Sequence, residues 1–214
     1  MTAAPELVTG PASFAAATGV SRETLARLEA YAELLLRWQA RINLIGADTI
    51  PQLWSRHMLD SAQLWPLIAP GVREQGPLVD LGSGAGFPGL VLAIMGQANV
   101  HLVDSDVRKG VFLREAARIT GTQLTVHTSR IETLAGFPAA MVTARACAPL
   151  VRLLEHAEKF IGSGTECLFL KGRMAAEELT AARACWTLEP SWHQSRTDPS
   201  GSILRLRGLA RVSG

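Results

Sequence analysis

The stretch Leu78-Val79-Asp80-Leu81-Gly82-Ser83-Gly84-Ala85-Gly86-Phe87-Pro88-Gly89 constrains this chain more than any other. A short, mostly apolar run gives way to glycine at every second position and then to proline. Glycines let a backbone turn sharply and come close to a ligand, because no Cβ intervenes. Pro88 suits the first turn of a helix. The stretch therefore predicts a strand, a tight loop and a helix, with the loop at the C-terminal end of the strand. Open α/β sheets bind their ligands at that end.

The flanking sequence supports such a sheet. Val100 to Val103, Leu124 to Val126, Ala140 to Thr143 and Cys167 to Leu170 read as further strands. Between them, Leu90 to Met95 is an apolar helix, and Asp106 caps a helix reaching about Thr120. Leu150, Leu153, Leu154 and Ala157 recur at helical spacing. Strands alternating with helices imply a mostly parallel sheet covered on both faces. At the end of the chain, Trp186 to His193 and Ile203 to Leu209 flank Asp198-Pro199-Ser200-Gly201, which predicts antiparallel strands joined as a hairpin.

Residues 1–70 form an expected N-terminal helical cap, and residues 71–214 the sheet-bearing domain, the two packed as one unit. Pro5, Gly10 and Pro11 suggest a loosely held start. Ser21 caps a helix carrying Leu25, Leu28, Tyr31, Ala32, Leu35 and Trp38. A second helix is expected from about Thr49 to Leu64, stopped by Pro66. Trp54 and Trp65 read as packing residues.

The 214 residues are 48% hydrophobic and 19% charged, as in globular proteins. Cys147, Cys167 and Cys185 are widely spaced, which argues against a disulfide framework or zinc site, and no metal is expected. No apolar run reaches membrane-spanning length. A cytoplasmic monomer with no membrane partner is the simplest expectation.

The glycines Gly84, Gly86 and Gly89 also satisfy the dinucleotide pattern G-x-G-x-x-G, so a nicotinamide-dependent oxidoreductase is one reading. Asp80, Gly82, Gly84 and Gly86 tip the balance toward S-adenosylmethionine. Asp80 can face a cationic amino acid group, directly or through water, whereas a pyrophosphate gains nothing from that carboxylate. Asp104 ends the next strand, where an acid can accept the ribose hydroxyls of either cofactor. Ile131 and Glu132 follow the third strand, where an adenine would lie.

Several further motifs give the chain a family resemblance. Trp38 through Asn43-Leu44 resembles W-N-x-x-x-N-L, with Gln39 in place of the first Asn. Arg56-His57-Met58-Leu59-Asp60-Ser61 fits R-H-x-x-D-S, and Asp80 to Gly89 fits D-x-G-[ST]-G-x-G-x-P-G. Asp104-Ser105 with Phe112-Leu113, Arg145-Ala146 and Leu170-Lys171-Gly172 complete the set. Jointly they resemble the GidB/RsmG family of bacterial 16S ribosomal RNA methyltransferases, over about residues 25 to 210. The resemblance implies a class I, Rossmann-like fold and S-adenosylmethionine-dependent methylation of guanine N7. It implies guanine 527 of the decoding-region loop as target, with 16S rRNA or the small ribosomal subunit as partner. It places cofactor contacts at Gly82, Phe87, Ile131, Glu132 and Arg145. Cys147 departs from it, since an apolar residue is usual near that point. A noncatalytic ribosome-binding or assembly protein is the remaining alternative.

Guanine N7 carries a lone pair and no proton, so its methylation requires alignment rather than a general base. Arg145 and Lys171 are the expected positioning residues of the catalytic site. Arg56, His57, Lys171 and Arg173 are the expected RNA contacts. Arg37 and Arg41 extend that basic side, and Arg205, Arg207 and Arg211 form a second group of arginines. A cysteine nucleophile of the kind used at pyrimidine C5 is not expected of Cys147, which reads as a small buried side chain.

Overall fold

A computed structural model of the chain describes residues 8–145 and 147–212. Five parallel strands, β1 (Leu78–Leu81), β2 (Val100–Asp104), β3 (Thr125–Thr128), β4 (Met141–Arg145) and β5 (Glu166–Lys171), lie in one sheet with β6 (Trp186–Gln194) and β7 (Ser202–Arg211). The order is β3-β2-β1-β4-β5-β7-β6, with β7 antiparallel to both β5 and β6. This is the expected mostly parallel α/β sheet with an antiparallel C-terminal hairpin.

Alternating side chains feed two apolar layers. Leu78, Leu102 and Leu168 point to one, while Val79, Val103 and Phe169 point to the other. The first layer contains α5 (Gly89–Ile94) and α6 (Val107–Ile119), together with the N-terminal helices α1 (Pro11–Thr18) and α2 (Arg22–Gln39). The second contains α7 (Leu150–Ala157) and α8 (Ala175–Ala182). Phe14, Leu28, Tyr31 and Met58 share one continuous cluster with Leu90 and Phe112, so the N-terminal helices contribute to the same core as the sheet. Ser21 caps α2 by accepting from the Thr24 amide, and Asp106 caps α6 from the Arg108 amide.

Residues 49–64 do not form the regular helix that their composition suggests. A 3₁₀ turn, Ala47–Gln52, contains Pro51, which has no amide hydrogen and interrupts an α-helical ladder. A π-helical stretch, Trp54–Leu59, follows and runs into the short α3 (Asp60–Ala62). Pro66 lies within a second 3₁₀ turn, Trp65–Leu67. The chain start also differs from expectation: Gly10 and Pro11 open α1, and Val8 is buried. Pro5 and Ala146 lie outside the described residues. Two helices, α4 (Pro70–Gln75) and α8, had no expectation attached. Trp54 packs edge-on against Phe14, and Trp65 lies beneath the Arg73 guanidinium, so both tryptophans are packing residues.

Candidate functional site

Two cavities open along the C-terminal edge of the parallel strands. The larger, about 590 Å³, is lined by the loop residues Gly82 to Ala85 and Phe87, by Arg145, and by Arg56, His57 and Asp60. The smaller, about 210 Å³, is lined by Asp104, Ser105, Ser129 and Ile131-Glu132. Gly82 and Cys147 line both, and Cys147 is exposed there rather than buried as expected, because the loop after β4 runs along the cavities.

The loop takes its shape from glycine. Gly82, Gly84 and Gly86 have φ values of 66°, 57° and 102°, a region that side-chain-bearing residues rarely occupy. A Cβ on Gly82 would stand 2.5 Å from the Cys147 Sγ. The two cavities share their lining where position 82 has no side chain. Gly86 lines neither cavity; it turns the chain toward α5, where a Cβ would strike Leu90.

Asp80 does not face the cavities, contrary to expectation. It is fully buried beneath the loop. Its Oδ1 accepts from the Thr143 hydroxyl at 2.8 Å and its Oδ2 from the Gly89 amide at 3.2 Å. Burial raises its pKa to about 6, although these hydrogen bonds oppose the shift. The reason for the difference is strand alternation, which turns residue 80 toward α5. Asp104 does line the smaller cavity. Its carboxylate accepts from the Gly84 amide at 2.9 Å and the Asp106 amide at 2.8 Å, so it joins the loop to the start of α6.

Ile131 and Glu132 sit in a 3₁₀ turn, Ile131–Thr133. Lys159 donates to the carbonyls of Ile131, Glu132 and Leu134 at 2.8 to 3.0 Å. An ammonium behind the turn engages its carbonyls on that side. Nothing in the sequence marked Lys159, because its partners lie more than twenty positions away.

Arg145 is the most constrained cation of the site. Its Nη1 donates to the Arg56 carbonyl at 2.9 Å and lies 3.5 Å from the Asp60 Oδ2. Its Nη2 donates to the His57 Nδ1 at 2.8 Å, and its guanidinium stacks on Phe87, 4.9 Å from the ring centre. Since an arginine cannot accept, His57 Nδ1 must be the acceptor; its Nε2–H then donates to the Thr49 hydroxyl at 2.8 Å. Burial first, then Arg145 and Arg56, lowers the His57 pKa to about 3. His57 is therefore neutral and buried, and the expectation that it contacts RNA as a basic residue is corrected. The R-H-x-x-D element holds Arg145 in place. Asp60 also accepts from Thr197 at 2.6 Å and Gln63 at 2.8 Å, which fastens the β6–β7 loop over the larger cavity.

Lys171 is tied into the protein as well. Its amine lies 2.6 Å from Glu178 and donates to the Ala148 carbonyl at 3.0 Å, with the side chain only 8% exposed. It fixes the loop after β4 on the wall of the larger cavity, with its amine engaged within the protein. Glu178, on the helix that had not been anticipated, also accepts from the Leu150 amide. Arg205 and Arg207 both pair with Glu166 at the start of β5, and Arg211 pairs with Glu158, so this group is spent within the protein. Arg56 and Arg173 remain exposed, Arg56 on the wall of the larger cavity and Arg173 one residue beyond its Gly172. Gln39 fills the place of the motif's Asn. Its Oε1 accepts from the Leu44 and Ile45 amides, so the longer side chain still braces the turn after α2.

Among the described residues, no group of three or more His, Cys, Asp or Glu is placed to hold a metal ion. No helix there is long and apolar enough to cross a membrane.

Residues 24–202 match the GidB family, described as rRNA small subunit methyltransferase G. A Paramagnetospirillum magneticum protein named ribosomal RNA small subunit methyltransferase G is 59% identical, covering 94% of this chain and 97% of the relative. A Rhodospirillum rubrum protein of the same name is 53% identical, covering 94% and 99%. Among solved structures, magnesium protoporphyrin IX methyltransferase from Synechocystis with bound SAM aligns with a TM-score of 0.57. It is 17% identical and covers 87% of this chain and 97% of its own, a likeness of fold.

Proposed function

This chain belongs to the GidB family of small-subunit ribosomal RNA methyltransferases, and from that premise we propose that it methylates N7 of a 16S rRNA guanine, guanine 527 of the decoding-region loop. The observation that carries the reading is the meeting of the two cavities at Gly82 and Cys147. One cavity suits an adenosine and the other an amino acid end together with an acceptor base.

The residues present fit S-adenosylmethionine. Gly82 leaves open the space a side chain would fill. Asp104 would hold the ribose, Ile131 and Glu132 would border the adenine, and Phe87 and Arg145 would contact the cofactor from the wall of the larger cavity. When bound, the cofactor supplies a methyl group on a positively charged sulfur, which keeps the bonding electron pair as the methyl leaves. Guanine N7 provides the pair for the new bond and has no proton to lose. The chain therefore has to align rather than to deprotonate. Asp60 and Glu178, half-buried acids of the acceptor cavity, are already engaged by Arg145, Thr197 and Gln63 and by Lys171 and the Leu150 amide. Arg145 is held off the ring by His57, Asp60 and the Arg56 carbonyl. A loose cation at N7 would oppose the positive charge that the base acquires. Arg56 and Arg173 are the proposed phosphate contacts at the rim.

The test is labelled-methyl transfer to small-subunit RNA from a strain lacking this protein, followed by base mapping. Label on N7 of the single guanine is expected. Label on another atom, or transfer to no form of the RNA or subunit, would contradict the reading.

A further inference from the structure

The cofactor loop is held from outside the sheet domain. Tyr31, in the middle of α2, is fully buried, and its hydroxyl donates to the Ala85 carbonyl at 2.5 Å. Ala85 lies between Gly84 and Gly86, both at positive φ. A peptide between two such glycines has several orientations of similar energy, since neither neighbour has a side chain to restrict it. A buried carbonyl without a partner costs about 1–3 kcal/mol, so the Tyr31 hydroxyl selects the orientation that turns the Ala85 oxygen inward. The Tyr31 ring also packs against Phe87 at 5.6 Å and Phe112 at 6.3 Å. Phe87 in turn carries Arg145 and lies 5.1 Å from His57. One side chain of the N-terminal helices thus braces the loop, and through Phe87 the stack under Arg145.

We propose that Tyr31 is a positioning residue for S-adenosylmethionine, keeping the Gly84-Ala85-Gly86 backbone in its binding conformation before the cofactor arrives. The proposal rests on the reading that this loop binds that cofactor. A loop that is only partly in its binding conformation lowers apparent affinity in proportion to the fraction that is competent. The N-terminal helices would then contribute to cofactor affinity as well as to the fold.

Tyr31→Phe keeps the ring and removes the donor. Calorimetric titration with S-adenosylmethionine should show Kd raised about fivefold or more, the counterpart of losing one net hydrogen bond. Leu28→Val trims the same buried face of α2 one turn earlier and serves as the packing control. It should lower thermal stability while leaving Kd within about twofold. Equal loss of affinity in both variants, or unchanged affinity in Tyr31→Phe, would overturn the positioning role. Tyr31 is the chain's only tyrosine, so 3-fluorotyrosine labelling places one fluorine probe in the otherwise unaltered protein. In the free protein it should give one sharp resonance, as a single loop conformation requires, and several resonances or exchange broadening that S-adenosylmethionine removes would also overturn the proposal. Failure of the wild-type protein to bind S-adenosylmethionine would instead remove the underlying reading, and the proposal with it.

Discussion

Single atoms decide much of this site. At Gly82, alanine would bring a Cβ 2.5 Å from the Cys147 Sγ and strain a φ of 66°. Gly82→Ala is expected to raise the Kd for S-adenosylmethionine at least tenfold by calorimetry, the equivalent of about 1.4 kcal/mol. Gly89→Ala acts on the fold instead. Its Cβ would meet the Leu102 Cδ2 at 2.5 Å and the Asp80 Cβ at 2.7 Å. Overpacking of that kind costs about 1–3 kcal/mol, and urea unfolding should register it. Two buried titrations oppose each other in acid. His57 stays neutral in the folded protein down to about pH 3, so its contribution is complete above the ordinary histidine pKa of about 6.5 and is lost as pH falls. Asp80 titrates at about 6 when folded, so its contribution is complete in acid, below its unfolded pKa, and is lost as pH rises through about 6. Between about pH 4 and 6 the two slopes offset. Asp80→Asn leaves His57 unopposed, and the stability of that variant should climb with pH by up to about 1.4 kcal/mol per pH unit in urea titrations. A slope equal to that of the wild type would contradict the pairing.

Elements differ in how far the sequence revealed them. The strand–loop–helix at Leu78 to Gly89 was legible because glycine, proline and an apolar run each restrict the backbone locally. That Gly82, Asp104, Ile131 and Glu132 line cavities was legible from their places at or just beyond strand ends. Residues 49–64 were misjudged as one helix because composition reports helicity and not the ladder's spacing, which here changes from 3₁₀ to π. The ion pair of Lys171 was not legible, because its partner Glu178 lies on α8, a helix whose Ala-rich sequence carries little periodic pattern. Asp60 and His57 stood out as a motif, yet their work on Arg145 is a contact across more than eighty residues. The 3₁₀ turn at Ile131 offers a test at this scale. Lys159→Met removes three hydrogen bonds to its carbonyls. Hydrogen bonds from a charged donor contribute about 1.5–3 kcal/mol. Cofactor affinity should fall about tenfold, with faster amide exchange confined to the turn and its flanks. Unchanged affinity would reduce Lys159 to a purely structural cap.

Across the whole molecule, charge is distributed by function. The arginines of β7 pair with carboxylates at one end of the sheet, while Arg56 and Arg173 lie at the cavity end, where both add to the Ser200 hydrogen bonds in lowering the pKa of Asp198 and neither has an ion pair within 4 Å among the described residues. Arg56→Gln should weaken RNA binding at every salt concentration and reduce the salt slope by about one. Arg205→Gln should leave that slope unchanged. Filter binding across a salt series separates the two, and equal slopes for Arg56→Gln and the wild type would remove Arg56 from the RNA contact. The sheet order has a consequence for how the molecule is made. β7 lies between β5 and β6, although it follows both in the chain. Until residues 202–211 arrive, β5 is an open edge and β6 has no partner, the kind of surface on which chains aggregate. The β6–β7 loop, which Asp60 fastens over the acceptor cavity, completes the wall only at that point. Assembly of the active enzyme is therefore gated by the insertion of β7 between two strands made before it.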